Sequence, residues 1–420
     1  MKHSRRSAAL VLSALLTLCA TGCSSLPSLP SWSSLNPFAE DDKDDSPAPL
    51  KDYKREANID VKWDSQVGDG AGSKYLLLQP AVEGDRVFAA DGYGVVEAFD
   101  KTSGKRLWHT TIGHPAARGF VETLRFWAHT DRSFVSGAIG AGDGAAFAAT
   151  TKGEVVALDG ITGKELWRAR VNAEVAAPPE TDGDIVAVLT LDGKLVALDR
   201  ATGQNRWSYD TQVPILSLRG AARPTFAEGA VIGAFPSGHV AALKAKTGEP
   251  IWDTRIAIPQ GRSELDRVVD VDGTPAVDGD AVYAASYQGR IKALKLLDGT
   301  PLWEREFSSH QAMAVNSSAL FAIGKEDHVF ALDKQSNVTT WDVDVLKNRG
   351  LTSPALLGDY VVVGDADGYM HVLAQSDGRI VARTKIDGDG LRSDFVVADD
   401  VLYGQSNGGE LFAVKIHSSK

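Results

Sequence analysis

"ALDGITGKELW", residues 157–167, reads as the end of one strand, a tight turn, and a second strand closing on tryptophan. Asp159 and Gly163 carry the turn: an aspartate bonds its own backbone two or three residues on, and glycine reaches the positive φ that the reversal needs. Residues 197–207, "ALDRATGQNRW", repeat the pattern with different filling. Six further stretches match more loosely, so that Phe99, Leu158, Leu198, Leu243, Leu294, Leu332, Leu373 and Val414 occupy one slot in eight copies, at steps of 38 to 59 residues.

Every copy holds a β-rich apolar run, a Gly or Asp-Gly turn, an alternating run and a second turn, and the first six close on tryptophan. Ahead of each lies a further short strand candidate, such as "AAPPETDGD" before Ile185. No stretch with a helical period is comparably strong. Units of four strands and roughly 40–45 residues are the spacing of propeller blades. The ends decide how the ring closes. Copy eight stops at "ELFAVKIHSSK" without its last strand, whereas "ANIDVKWDSQVG" around Trp63 is an orphan strand of that same kind. Pairing the two satisfies both exposed edges. The expectation is an all-β protein: an eight-bladed β-propeller of four-stranded antiparallel blades over residues 57–417, closed by the N-terminal strand entering the last blade. Trp63, Trp108, Trp167, Trp207, Trp252, Trp303 and Trp341 are then structural, each burying an indole between its own blade and the next. Ala382 takes the tryptophan slot of copy seven. That interface is expected to be less well packed.

Residues 1–22 read as a lipoprotein signal peptide. Lys2, Arg5 and Arg6 precede the apolar run from Ala8 to Ala20, which is too short to span a bilayer comfortably. Arg5-Arg6 leaves twin-arginine export open beside the ordinary route. "LCATGC" resembles a bacterial lipobox with Cys23 as the lipidated residue, although Ala20 stands where leucine is usual, and a plain cleaved signal peptide is the alternative. Ser24 after the cysteine, rather than aspartate, directs such a lipoprotein to the outer membrane, facing the periplasm, and multiple acyl chains provide a stable anchor. Residues 23–56 are rich in Pro and Ser and contain the acidic run "EDDKDD", a composition expected of a disordered tether.

The formal charge is −11, and losing residues 1–22 takes away three basic residues and no acidic one, leaving −14. A nucleic-acid binder needs a basic face. Cys19 and Cys23 are the only cysteines, so the mature domain has no disulfide, thiol nucleophile or cysteine metal site.

The pattern A-x-D-x-x-T-G-x-x-x-W, complete at residues 157–167 and 197–207, resembles the tryptophan-docking repeat of the pyrroloquinoline quinone (PQQ) propellers. Eight copies behind a lipobox and a leash, together with "PILSLRGAARPTF" and "SELDRVVDVDGTPAV", resemble more specifically the BamB family of lipoproteins of the outer-membrane β-barrel assembly machine. That resemblance implies a non-enzymatic scaffold, without cofactor, that docks on the periplasmic domains of BamA and assists nascent outer-membrane proteins. It carries the docking role to Leu216, Leu218, Arg219, Asp270 and Asp272. Independently, "PILSLRG" places apolar side chains beside an arginine where a polar connection is expected, and an apolar pair with an arginine suits an interface anchor. Two bland readings stay open: Leu216 and Leu218 belong to the innermost strand of blade four, or Asp270 and Asp272 merely form a turn before Gly273. The long connection holding Phe120, Phe126 and Trp127 is either an exposed contact or a cover over one face.

Chemistry finds little support. Quinoprotein dehydrogenases look longer and carry a vicinal cysteine pair and an acid cluster for calcium, none of which is legible here. "GQSNG" at 404–408 matches a nucleophile elbow in form, but it falls on a hairpin turn with a strand after it, so Ser406 reads as a turn residue. "DADG" at Asp365 and "DGDG" at Asp387 lack the glutamate of a calcium loop, and the histidines show no zinc spacing. No catalytic residue and no metal ligand is expected. A quinone-dependent dehydrogenase and a carbohydrate- or peptide-binding propeller remain the alternatives.

Overall fold

The computed structural model describes residues 45–113, 135–212, 214, 216–218, 222–260, 262–263 and 265–419. Cys23 and the signal segment, most of the tether, Phe120, Phe126, Trp127, Ile215 and Arg219 lie outside the described residues. Residues 47–420 form one compact unit.

The described strands assemble into eight four-stranded antiparallel sheets. In chain order the blades are 81–111, 135–170, 180–210, 225–255, 276–306, 314–343 and 355–385, with blade eight made of 396–418 and, as its outermost strand, Ala57–Gln66. The ring is thus closed by the two chain ends. Ala57–Gln66 pairs antiparallel with Glu410–Ser418 from Ala57 opposite Ser418 to Gln66 opposite Glu410, with one bulge at Trp63. Within each blade the sequence runs from the hub outward. One face therefore carries the turns between first and second and between third and fourth strands; the other carries the middle turns and the connections from blade to blade.

The repeat motif has a single physical purpose, visible in the turn between third and fourth strands. Asp159 accepts hydrogen bonds from the Thr162 amide and hydroxyl, both at 2.7 Å. Gly163 follows at φ +70°, and the other six such turns place Gly, or Asn337, between +56° and +74°. The turn is then flat enough for an indole to lie on it: a Cβ added to Gly163 would meet Trp108 at 2.6 Å. Each of the seven expected tryptophans donates its indole N–H to a carbonyl at the turn of the following blade, at 2.7–3.0 Å, from Trp63 on Lys101 around to Trp341 on Gln375. Burying on the order of 200 Å² of aromatic surface with its polar atom satisfied is what makes tryptophan the preferred wedge.

The interface from blade seven to blade eight differs from its expectation. Ala382 is 2% exposed and sits in an extensive buried cluster with Ala57, Val381, Met370, Phe395 and Phe412. It is not loosely packed. Blade eight has no hairpin between its third and fourth strands, because these are the two ends of the chain, so no turn exists for a tryptophan to lie on.

Residues 47–56, expected from composition to belong to the tether, instead lie along the outer edge of blade seven. The Ala48 amide donates to the Lys347 carbonyl (2.8 Å) and the Glu56 amide to the Val381 carbonyl (2.9 Å).

Candidate functional site

The connections 211–224, from blade three to four, and 256–275, from blade four to five, lie on the same face. Residues 268–271 are deeply seated: Val268, Val269 and Val271 are buried, and the last joins the core shared by blades four and five. The Asp270 carbonyl accepts from the Tyr287 amide (2.9 Å), tying the segment to blade five. An aspartate between these valines is forced inside with them. Its carboxylate, fully buried, accepts a hydrogen bond from the Leu218 amide.

That bond joins the two stretches singled out in the sequence. Farther along, the Arg223 amide donates to Thr274 Oγ1 (3.1 Å) and Thr225 Oγ1 to the Pro275 carbonyl (3.2 Å), so the connections run side by side as one platform. Leu216 stands at its surface, 44% exposed, and Leu218 is half-buried. Both precede the innermost strand of blade four, Thr225–Ala227, so neither belongs to that strand. Asp270 and Asp272 form no turn; the chain bends after them, at Gly273.

Burial pushes the Asp270 carboxyl up to about 6, against the opposing pull of the Leu218 N–H. Asp272 is raised well above the usual range, first by burial and then by the charge of Asp270 beside it. Oδ1 of each is shielded from solvent and has no hydrogen-bond partner among the described residues. Ile258 and Leu265 are 64% and 70% exposed in the connection that carries Asp270. "SELDR" does offer the signal for Leu265, an isolated leucine in a charged run.

The motifs at Ser406 and Asp365 are hairpin turns, whereas residues 387–390 bend within the connection from blade seven to eight. Ser406 Oγ accepts from the Glu410 amide (3.0 Å), and Asp365 accepts from the amides of Asp367 (3.0 Å) and Tyr369 (2.8 Å).

The model of a family described as "Outer membrane protein assembly factor BamB" matches residues 93–343 and 325–420. A protein of that name from Pseudomonas aeruginosa is 40% identical over 370 residues, covering 88% of this chain and 92% of that protein. Its counterpart from Escherichia coli is 34% identical over 367 residues, 87% of this chain and 91% of the other. The crystal structure of BamB from Moraxella catarrhalis superimposes with a TM-score of 0.75 at 28% identity, over 85% of this chain and 100% of that one. A quinohemoprotein alcohol dehydrogenase from Comamonas testosteroni reaches a TM-score of 0.64 at 13% identity, over 86% of this chain and 76% of its own, a likeness of fold alone. Eight blades closed by the chain ends, seven of their eight interfaces docked by tryptophan, the family model across nearly all of them, and relatives alike over about nine-tenths of their length have one consequence: the chain belongs to the BamB family of outer membrane protein assembly factors.

Proposed function

We propose that this protein is a non-enzymatic scaffold of outer-membrane protein assembly, lipid-anchored at Cys23 in the outer membrane, facing the periplasm, and docked on the periplasmic domains of BamA through its connections 211–224 and 256–275. The scaffold role follows from the family. The docking role of Leu216, Leu218, Arg219, Asp270 and Asp272 is supported above all by the bond between the Leu218 amide and the buried Asp270 carboxylate, which fastens an apolar loop to a rigid body before any partner arrives. A loop ordered in advance loses less entropy on binding. Leu216 supplies apolar area, and Arg219, adjacent to Leu218 in the chain, supplies a fork for a carboxylate. Asp270 acts through the loop it holds, since it is itself covered. A disc held this way beside the barrel-inserting subunit helps to present nascent outer-membrane proteins to it.

The test is affinity purification of the tagged full-length protein from envelopes beside a Leu218→Asp, Arg219→Glu variant. Wild type is expected to recover BamA and the variant to lose it. Equal recovery by both rejects the docking loop, and recovery by neither rejects the function.

A further inference from the structure

The outer strands of the blades are alike except in one place. The residue before each tryptophan points outward: Leu107, Leu166 and Leu302 are 45%, 55% and 46% exposed. Val381, in the same slot of blade seven, is 1% exposed. The difference coincides with residues 47–56, which run antiparallel to Ile380–Lys385. Tyr53 Oη donates to the Arg383 carbonyl (3.4 Å), and the Glu56 amide donates to that of Val381 (2.9 Å).

Two arginines hold this segment by its backbone, and both are seated in a buried network. Arg349, 5% exposed, donates from Nε to Asp365 (2.7 Å), from Nη2 to Asp367 (2.7 Å) and from Nη1 to the Ala48 carbonyl (2.9 Å). Arg383 donates from Nη1 to the Lys51 carbonyl (3.2 Å), its guanidinium lies 5.1 Å from the centre of the Tyr53 ring, and its Nε donates to His371 Nδ1 (3.1 Å). His371 Nε2 in turn meets the same Asp365 carboxylate (2.7 Å). Because Nδ1 accepts, Nε2 carries the proton and His371 is neutral. In blades two, three, four, six and eight the slot of His371 holds Val156, Val196, Ala241, Phe330 and Phe412, side chains unable to seat an arginine. A polar group buried in a propeller core is costly unless every partner is in place. Here the partners converge on two guanidinium groups whose remaining N–H donors point at Ala48 and Lys51.

We propose that residues 47–56 are a strap, fastened by Arg349 and Arg383, that seals the outer edge of blade seven and brings its own first residues to the face bearing the docking connections. Ala48 is bound to Lys347 and Arg349, which lie in the connection from blade six to seven, and all such connections share that face with 211–224 and 256–275. The strap covers a strand edge that would otherwise be open to pairing. The strap does not depend on the lipoprotein reading above.

The experiment is limited trypsin digestion of the full-length protein, with the rates of cleavage after Lys51 and Lys54 read by mass spectrometry. Wild type is expected to be cut there slowly, and an Arg349→Gln, Arg383→Gln variant at least about tenfold faster, as for a segment moved to the low-stability end of the molecule. If the double variant fails to fold, Tyr53→Ala, which leaves the buried network intact, is expected to accelerate the same cuts by a smaller factor. Wild-type cleavage at Lys51 and Lys54 at the rate of the denatured chain overturns the strap, as does an unchanged rate in the folded variants. No partner is present, so failure here is distinct from failure of the docking assignment.

Discussion

Seven of the eight blade interfaces are made one way and the eighth another. In the seven, a tryptophan from one blade lies on the turn of the next, with its N–H on a carbonyl at 2.7–3.0 Å. In the eighth, Ala382 faces a blade whose third and fourth strands are the two chain termini, and it is buried in a cluster with Ala57, Phe395 and Phe412. A docking tryptophan requires a docking turn. Where closure of the ring removes the turn, the repeat drops the tryptophan, and strand pairing with mixed aliphatic and aromatic packing takes over.

Replacing the wedge tests the contrast most severely. Trp167→Ala removes a buried indole and orphans the Arg200 carbonyl, and is expected to lower unfolding stability by about 3–5 kcal/mol, measured by denaturant titration. The reverse change sharpens it. Ala382→Trp supplies the missing residue of the repeat but meets a filled core, so it should destabilise by about 1–3 kcal/mol. A gain in stability from Ala382→Trp would mean that closure is merely a defective copy of the other interfaces.

The buried network of blade seven and the docking connections should answer acid with opposite sign. Under blade seven, His371 is surrounded by Asp365, Arg349, Arg383 and Tyr369, and burial, ahead of the two arginines, holds its pKa below the usual 6.5. The unfolded chain then takes up this proton more readily than the folded one, so stability falls as pH drops below about 6.5. Asp270, raised to about 6 from 3.8, is the converse: the folded state takes the proton first, and its contribution to stability grows as pH falls from 6 towards 4. Asp270→Asn keeps an acceptor for the Leu218 amide and removes the buried charge. It is expected to stabilise by about 3 kcal/mol at pH 7, with the gain fading by pH 4. His371→Gln should flatten the acid-side loss. Paired titrations of stability against pH for these variants check both signs.

Much of this was legible in the sequence because it repeats. One tryptophan is an ordinary core residue, but six at a fixed distance after a repeated turn specify both the blade and the interface it wedges. The orphan strand at Trp63 likewise announced the closure. What escaped depends on contacts between segments far apart in the chain. Ala382 looked like a weakness because the missing turn is a property of the ring, not of the repeat. Residues 47–56 have a tether's composition, and nothing local shows that Arg349 and Arg383 wait for their carbonyls. At the docking site the two stretches were identifiable, yet the bond from the Leu218 amide to Asp270 spans 52 residues and was not.

The central claim is that the chain ends zip together to shut the ring. Amide hydrogen exchange of the intact protein tests it at the hydrogen-bonded positions of Ala57–Gln66, compared with Glu410–Ser418 and with strands of blades two to six. Closure predicts that Ala57–Gln66 is protected to the same degree as its partner and opens together with it. Rapid exchange in Ala57–Gln66 while Glu410–Ser418 stays protected would contradict it.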